Sequence, residues 1–123
     1  MCDENRTIYL QSLTIESSPI MRSYFKAIIL SLKNNKHLKH LGLVNVMHMQ
    51  SLLRLLYRSL RDNTTLEHIS LANNGIHEFK HINKLIMKNH VLRTIDIRGN
   101  VMNEDILLEC WKSLHMNIEL IDI

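Results

Sequence analysis

Five leucines set the frame within which this chain must fold. Leu10, Leu38, Leu66, Leu92 and Leu120 stand 28, 28, 26 and 28 residues apart, and self-similarity at such a period marks stacked supersecondary units. Each opens a similar segment: Leu10-Gln-Ser-Leu13-Thr-Ile15, Leu38-Lys-His-Leu41-Gly-Leu43, Leu66-Glu-His-Ile69-Ser-Leu71, Leu92-Arg-Thr-Ile95-Asp-Ile97, and a fifth at Leu120-Ile-Asp-Ile123. Alternation within each segment predicts a short strand with one apolar face. Upstream of the leading leucine, apolar residues recur at fixed offsets. Phe25, Leu53, Phe79 and Leu107 stand thirteen before it, Ile28, Leu56, Ile82 and Cys110 ten before, and Leu32, Leu60, Ile86 and Leu114 six before. Those separations of three and four are helical, so each unit reads as strand, loop, helix and return, with these residues in the core.

Punctuation fits this reading. Ser18-Pro19 offers an N-cap with proline at the first helical position, and Asn103-Glu104-Asp105 offers a cap with two acids facing the positive end of a helix dipole. Asn35, Asn63, Asn89 and Asn117 fall at helix exits, where asparagine tolerates a left-handed conformation. Asn74 and Asn100 hold the ninth position of their units, where a side-chain amide can satisfy loop backbone groups. Ser18 supplies part of that function and Val46 none, so the second unit departs from the pattern.

The pattern LxxLxLxxN/CxL at a 28-residue period resembles leucine-rich repeats of the long, ribonuclease-inhibitor type from about residue 8 onward. Actin pointed-end caps of the tropomodulin kind and centrosomal or ciliary leucine-rich-repeat proteins are the members most similar in feel. The resemblance implies an α/β leucine-rich-repeat solenoid, a right-handed βα superhelix with a parallel sheet on the concave face and helices on the convex face. The expectation is one domain over residues 1–123, with about five repeats and strands near 10–15, 38–43, 66–71, 92–97 and 120–123. Trp111 is expected to cover part of the last core. Because the fifth segment ends with the sequence, a fragment of a longer array, or a second subunit covering the last strand, is also expected.

On this register the concave surface receives Ser12, Thr14, Glu16, His40, Gly42, Val44, His68, Ser70, Ala72, Thr94, Asp96, Arg98 and Asp122. A small, polar, mixed face suits recognition of a protein by many modest contacts over roughly 800 Å². We take His40, His68, Ser70, Thr94, Asp96 and Arg98 as the candidate binding residues. His40 and His68 occupy equivalent places on adjacent strands and could seat a metal with Asp96, but no third histidine or cysteine joins them. His77-Glu78-Phe79-Lys80-His81 fits the HExxH pattern, in which two histidines one helical turn apart hold zinc and the glutamate acts as base. With Phe79 in the core, His77 and His81 would point about 160° away, into solvent. Cys110 falls at a core position, and no phosphate loop or nucleophile elbow appears. A zinc hydrolase is therefore the weaker alternative to a non-enzymatic module without metal or cofactor.

Charge is uneven. The formal net charge is +3, yet Lys and Arg occur eight times between Glu16 and Asp62 with no acid between. Lys26, Arg54 and Lys80 share one register position on three successive helices, a basic ladder with steps of about 10 Å. Such a ladder could attract an acidic protein tail, anionic lipid or a nucleic-acid backbone, or be only a solvated face. Nucleic acid is disfavoured by the lack of aromatic residues for stacking. No apolar run reaches the roughly 18 residues of a membrane span. The polar start of the chain is no secretory signal, and Cys2 and Cys110 form no disulfide framework. These features point to the cytoplasm or the nucleus, and the resemblance to leucine-rich-repeat proteins implies the cytoskeleton or centrosome.

Overall fold

The structure, a computed structural model, describes residues 9–17 and 22–116, with side chains as far as Ser113. Within these bounds the elements alternate: β1 (Ser12–Glu16), α1 (Arg22–Ser31), β2 (His40–Val44), α2 (Met49–Leu60), β3 (His68–Ser70), α3 (Lys80–Lys88), β4 (Thr94–Asp96) and α4 (Glu104–Met116). The strands form one parallel sheet in the order β1-β2-β3-β4. Register reproduces the leucine spacing, with Ser12 opposite His40, His40 opposite His68 and His68 opposite Thr94. α1 packs on α2, α2 on α3 and α3 on α4. Each unit thus meets its sequence neighbours, as stacked repeats do.

Alternation places Leu41, Leu43, Ile69, Leu71 and Ile95 against the helices in one core with Leu53, Leu56, Leu60, Ile82 and Ile86. Burying one such side chain contributes about 1.5–3 kcal/mol. The helical offsets hold in α2 and α3 and shift elsewhere. In α1 the buried stripe is Phe25, Ile29 and Leu32, while Ile28 is half-buried. Leu107 is 59% exposed and so does not lie in the core as expected, and Trp111, expected to cover part of the last core, is 67% exposed. Instead they line an apolar cleft of about 710 Å³ with Ile97 and Met102. Among the described residues α4 packs only on α3. The fifth segment, the Ser18-Pro19 cap, Cys2, Leu114, Asn117 and Asp122 lie outside the described residues or side chains.

Asparagines organise both ends of the sheet, though not in the way expected at the helix exits. Asn35, Asn63 and Asn89 are not left-handed; Asn89 has φ −91° and ψ 122°. Their side chains bond to backbone instead. Oδ1 of Asn63 accepts from the N–H of Thr65 and of Leu66, and its Nδ2 donates to the Leu32 and Asn35 carbonyls one repeat back. Asn89 repeats this with Val91, Leu92, Leu60 and Asn63. At the other end, Asn74 and Asn100 do what the ninth position predicts. Asn74 donates to the Leu43 and Leu71 carbonyls and accepts from the Val46 N–H. Val46 therefore contributes only its buried side chain, and the next repeat supplies its polar partner.

Left-handed backbone appears one residue earlier. Ser17, Asn45, Asn73 and Gly99 have φ of 47°, 50°, 58° and 73°, the eighth position of four successive units. Each turns the chain out of its strand. Asparagine and glycine take this conformation most readily, which suits three of the four positions.

Candidate functional site

With the helices on one face, the other face of the sheet is open and carries the predicted binding residues in two cross-strand rows. Ser12, His40, His68 and Thr94 form one; Thr14, Gly42, Ser70 and Asp96 form the other. The His40 and His68 rings stack with centroids 4.4 Å apart and planes 11° apart. Nδ1 of His68 and Oγ1 of Thr94 share a hydrogen bond of 2.6 Å. In the second row, Ser70 donates to Oδ2 of Asp96 at 3.3 Å. Arg98, just beyond β4, folds back to donate from Nε and Nη2 to the two Asp96 oxygens, both at 2.9 Å. These bonds hold the Asp96 carboxyl below the usual carboxylate range, against the opposing effect of its partial burial. Gly42 and Ala72, expected at this surface, are buried. The Thr14 side chain overhangs Gly42, where an added Cβ would come within 2.9 Å of it.

Stacked imidazoles keep their in-plane nitrogen lone pairs parallel, whereas a shared ion needs them to converge at about 2.0–2.1 Å. The face is therefore built for hydrogen bonding and ring contact. Among the described residues no group of three or more His, Cys, Asp or Glu could hold a metal ion.

The HExxH segment is not a helical turn. Helix α3 begins at Lys80, and His77 and Glu78 precede it in a loop, where their N–H groups both donate to Oε1 of Gln50. His81, expected in solvent, is half-buried near Tyr57, and its Nδ1 has no hydrogen-bond partner. Burial lowers its pKa, and Lys84, Lys80, Arg54 and Arg58 lower it further. Cys110 is buried, and that burial raises its thiol pKa, the reverse of what a nucleophile needs.

Lys26, Arg54 and Lys80 lie exposed on the helices, as their register requires. A second rung escaped the sequence analysis: Arg58 and Lys84, each four residues further on, share the faces of Arg54 and Lys80. The i, i+4 offset from the ladder was the available signal.

Four parallel strands backed by four helices at this spacing define a leucine-rich-repeat-like α/β domain. No protein-family profile matches the chain, nor does any curated protein. Solved structures do. The C-terminal domain of Caenorhabditis elegans tropomodulin aligns with a TM-score of 0.68 at 21% identity, over 79% of this chain and 60% of that one. Actin-binding site 2 of leiomodin-1 aligns with a TM-score of 0.78 at 17% identity, over 91% of this chain and 68% of that one. The likeness is one of fold, and this chain spans three fifths of the tropomodulin domain. No helix among the described residues is long and apolar enough to cross a membrane.

Proposed function

We propose that this chain is a non-enzymatic protein-interaction module of the cytoskeleton. It is a short right-handed leucine-rich-repeat solenoid of the ribonuclease-inhibitor type, and it works in the cytoplasm. Its open sheet face engages a protein partner, and actin is the first candidate, since one fold neighbour is described as an actin-binding site.

The observation that carries the reading is the hydrogen-bonded surface of His68, Ser70, Thr94, Asp96 and Arg98. Side chains already fixed by one another lose little conformational freedom on binding, which favours recognition. The face offers carboxylate, guanidinium, hydroxyl and imidazole groups in fixed order, and that order gives specificity for a protein surface. The absence of catalysis rests on separate grounds, namely the non-helical His77 and Glu78 and the buried thiol of Cys110.

Co-sedimentation with filamentous actin tests the proposal. The wild-type chain is expected to pellet with filaments, and Asp96→Arg combined with His68→Glu is expected to weaken this about tenfold. Circular dichroism would verify that the variant retains its fold. Failure of the wild type to pellet removes actin as the partner, and equal binding by the variant removes the open face. Stoichiometric zinc that is lost in His81→Ala would replace the module reading with the hydrolase.

A further inference from the structure

We propose that the outer face of α1, α2 and α3 is a docking site for an extended acidic protein segment, with carboxylates seated one per helix along Lys26, Arg54 and Lys80. This surface is distinct from the open sheet face, so the two readings stand or fall separately. Three observations carry it. First, none of the three helices contains Asp or Glu, and the five ion pairs found among the described residues use none of their cations. Second, each helix carries a like-charge pair at i, i+4: Arg22 with Lys26, Arg54 with Arg58 and Lys80 with Lys84. Such pairs repel, and a bound anion relieves them. Third, the charges form one continuous row. Lys26, Arg54 and Arg58 line the cleft between α1 and α2, and the charges of Arg54 and Arg58 of α2 reach His81 of α3 as those of Lys80 and Lys84 do.

The row also has an end. Asp105 and Glu109 of α4 line the next cleft together with Lys80, Lys84 and Lys112, and Glu109 pairs with Lys112, so acids first enter the row at α4. Packed helices stand about 10 Å apart, and a segment in the extended polyproline II conformation advances about 3.1 Å per residue with three residues per turn, so acids at every third position share one face and meet successive helices. The α1–α2 cleft, about 180 Å³, is lined by a fourth cation, Arg22, and by Ser51, Leu52 and Leu55. It has no aromatic ring on which a base could stack, which favours a peptide over a nucleic acid.

The probe is a fluorescein-labelled synthetic peptide with glutamate at every third position and serine or glycine between, titrated against the full chain by fluorescence anisotropy. Saturable binding is expected, weakened by added salt. Arg54→Glu with Lys80→Glu is expected to weaken it about tenfold. The neutral pair Arg54→Gln with Lys80→Gln should lose part of the affinity, and it decides the matter if the charge-reversed chain fails to fold. A peptide of the same composition with its glutamates grouped at one end is expected to bind more weakly. No binding of the spaced peptide, equal affinity for the grouped one, or undiminished binding by the variants would each overturn the proposal. So would tighter binding of a single-stranded oligonucleotide or of phosphatidylserine vesicles.

Discussion

Asn89 donates from Nδ2 to the backbone carbonyl of Asn63 at 3.1 Å, and Asn63 does the same to Asn35 at 3.3 Å. This buried chain of amides ties each helix exit to the one before it. Asn89 also donates to the Leu60 carbonyl and accepts from two N–H groups, so Asn89→Ala strips a partner from four backbone groups, of which the Leu60 carbonyl keeps the Asn63 N–H. A buried group left without a partner costs about 1–3 kcal/mol, and partial relaxation brings the expected loss to about 4 kcal/mol. Asn35, half-buried at the first rung, accepts from His37 and Leu38. Asn35→Ala is expected to cost about 1–2 kcal/mol. Urea denaturation of both variants checks the order; equal losses would show that the ladder is not what fixes the exits.

Gly99 and Gly75 have left-handed φ of 73° and 63°, so alanine is strained at either. Their surroundings differ. A Cβ at Gly75 meets nothing within 4 Å, whereas one at Gly99 would collide with Oδ1 of Asn73. Gly75→Ala is therefore expected to cost about 1 kcal/mol, the backbone penalty alone. Gly99→Ala must also displace Asn73, itself the left-handed residue of the preceding turn, and is expected to cost at least about 2 kcal/mol. Thermal melts of the pair would contradict this if Gly75→Ala proved the more damaging.

The leucine comb made the strands, their neighbours and their register legible, because side chains alternate on a strand and the repeat period fixes which residues pair. That is why His40 and His68 could be placed side by side. The period does not fix the rotation of each helix, so Ile28 gave way to Ile29, and α4, which packs only on α3 among the described residues, left Leu107 and Trp111 exposed. Asparagine was ambiguous for a physical reason. One residue type both tolerates left-handed backbone and bonds to loop amides, and the two uses fall at different positions: Asn45 and Asn73 turn the chain, while Asn63 and Asn89 bridge repeats. His81 was misplaced because the HExxH segment was laid out as continuous helix, whereas α3 starts only at Lys80.

Asp96 titrates below its ordinary range, chiefly through the Arg98 hydrogen bonds. A carboxyl depressed in the folded state contributes stability above its unfolded pKa of about 3.9, and that contribution is lost as pH falls through the folded value. In Arg98→Ala the folded pKa is expected to rise towards normal, so the variant should lose less stability than wild type between neutral and acid pH. Carboxyl-carbon NMR titration of Asp96 checks the shift directly. An unchanged titration would show that Ser70 and the backbone, rather than the guanidinium, hold the charge.

His81 gives the opposite class of group the same sign. Burial first, then Lys84, Lys80, Arg54 and Arg58, lower its pKa from 6.5. Below that value the unfolded chain takes up the proton more readily than the folded one, so this contribution to stability is intact above about pH 6.5 and declines on acidification towards the folded pKa. Neutralising two of the cations in Arg54→Gln with Arg58→Gln is expected to raise the His81 pKa without restoring the ordinary value, because burial remains. Imidazole-proton NMR across the acid range measures it. A titration unmoved by the double substitution would place those guanidinium groups too far from the ring to act, and the continuity of charge from α2 to α3 would be lost with them.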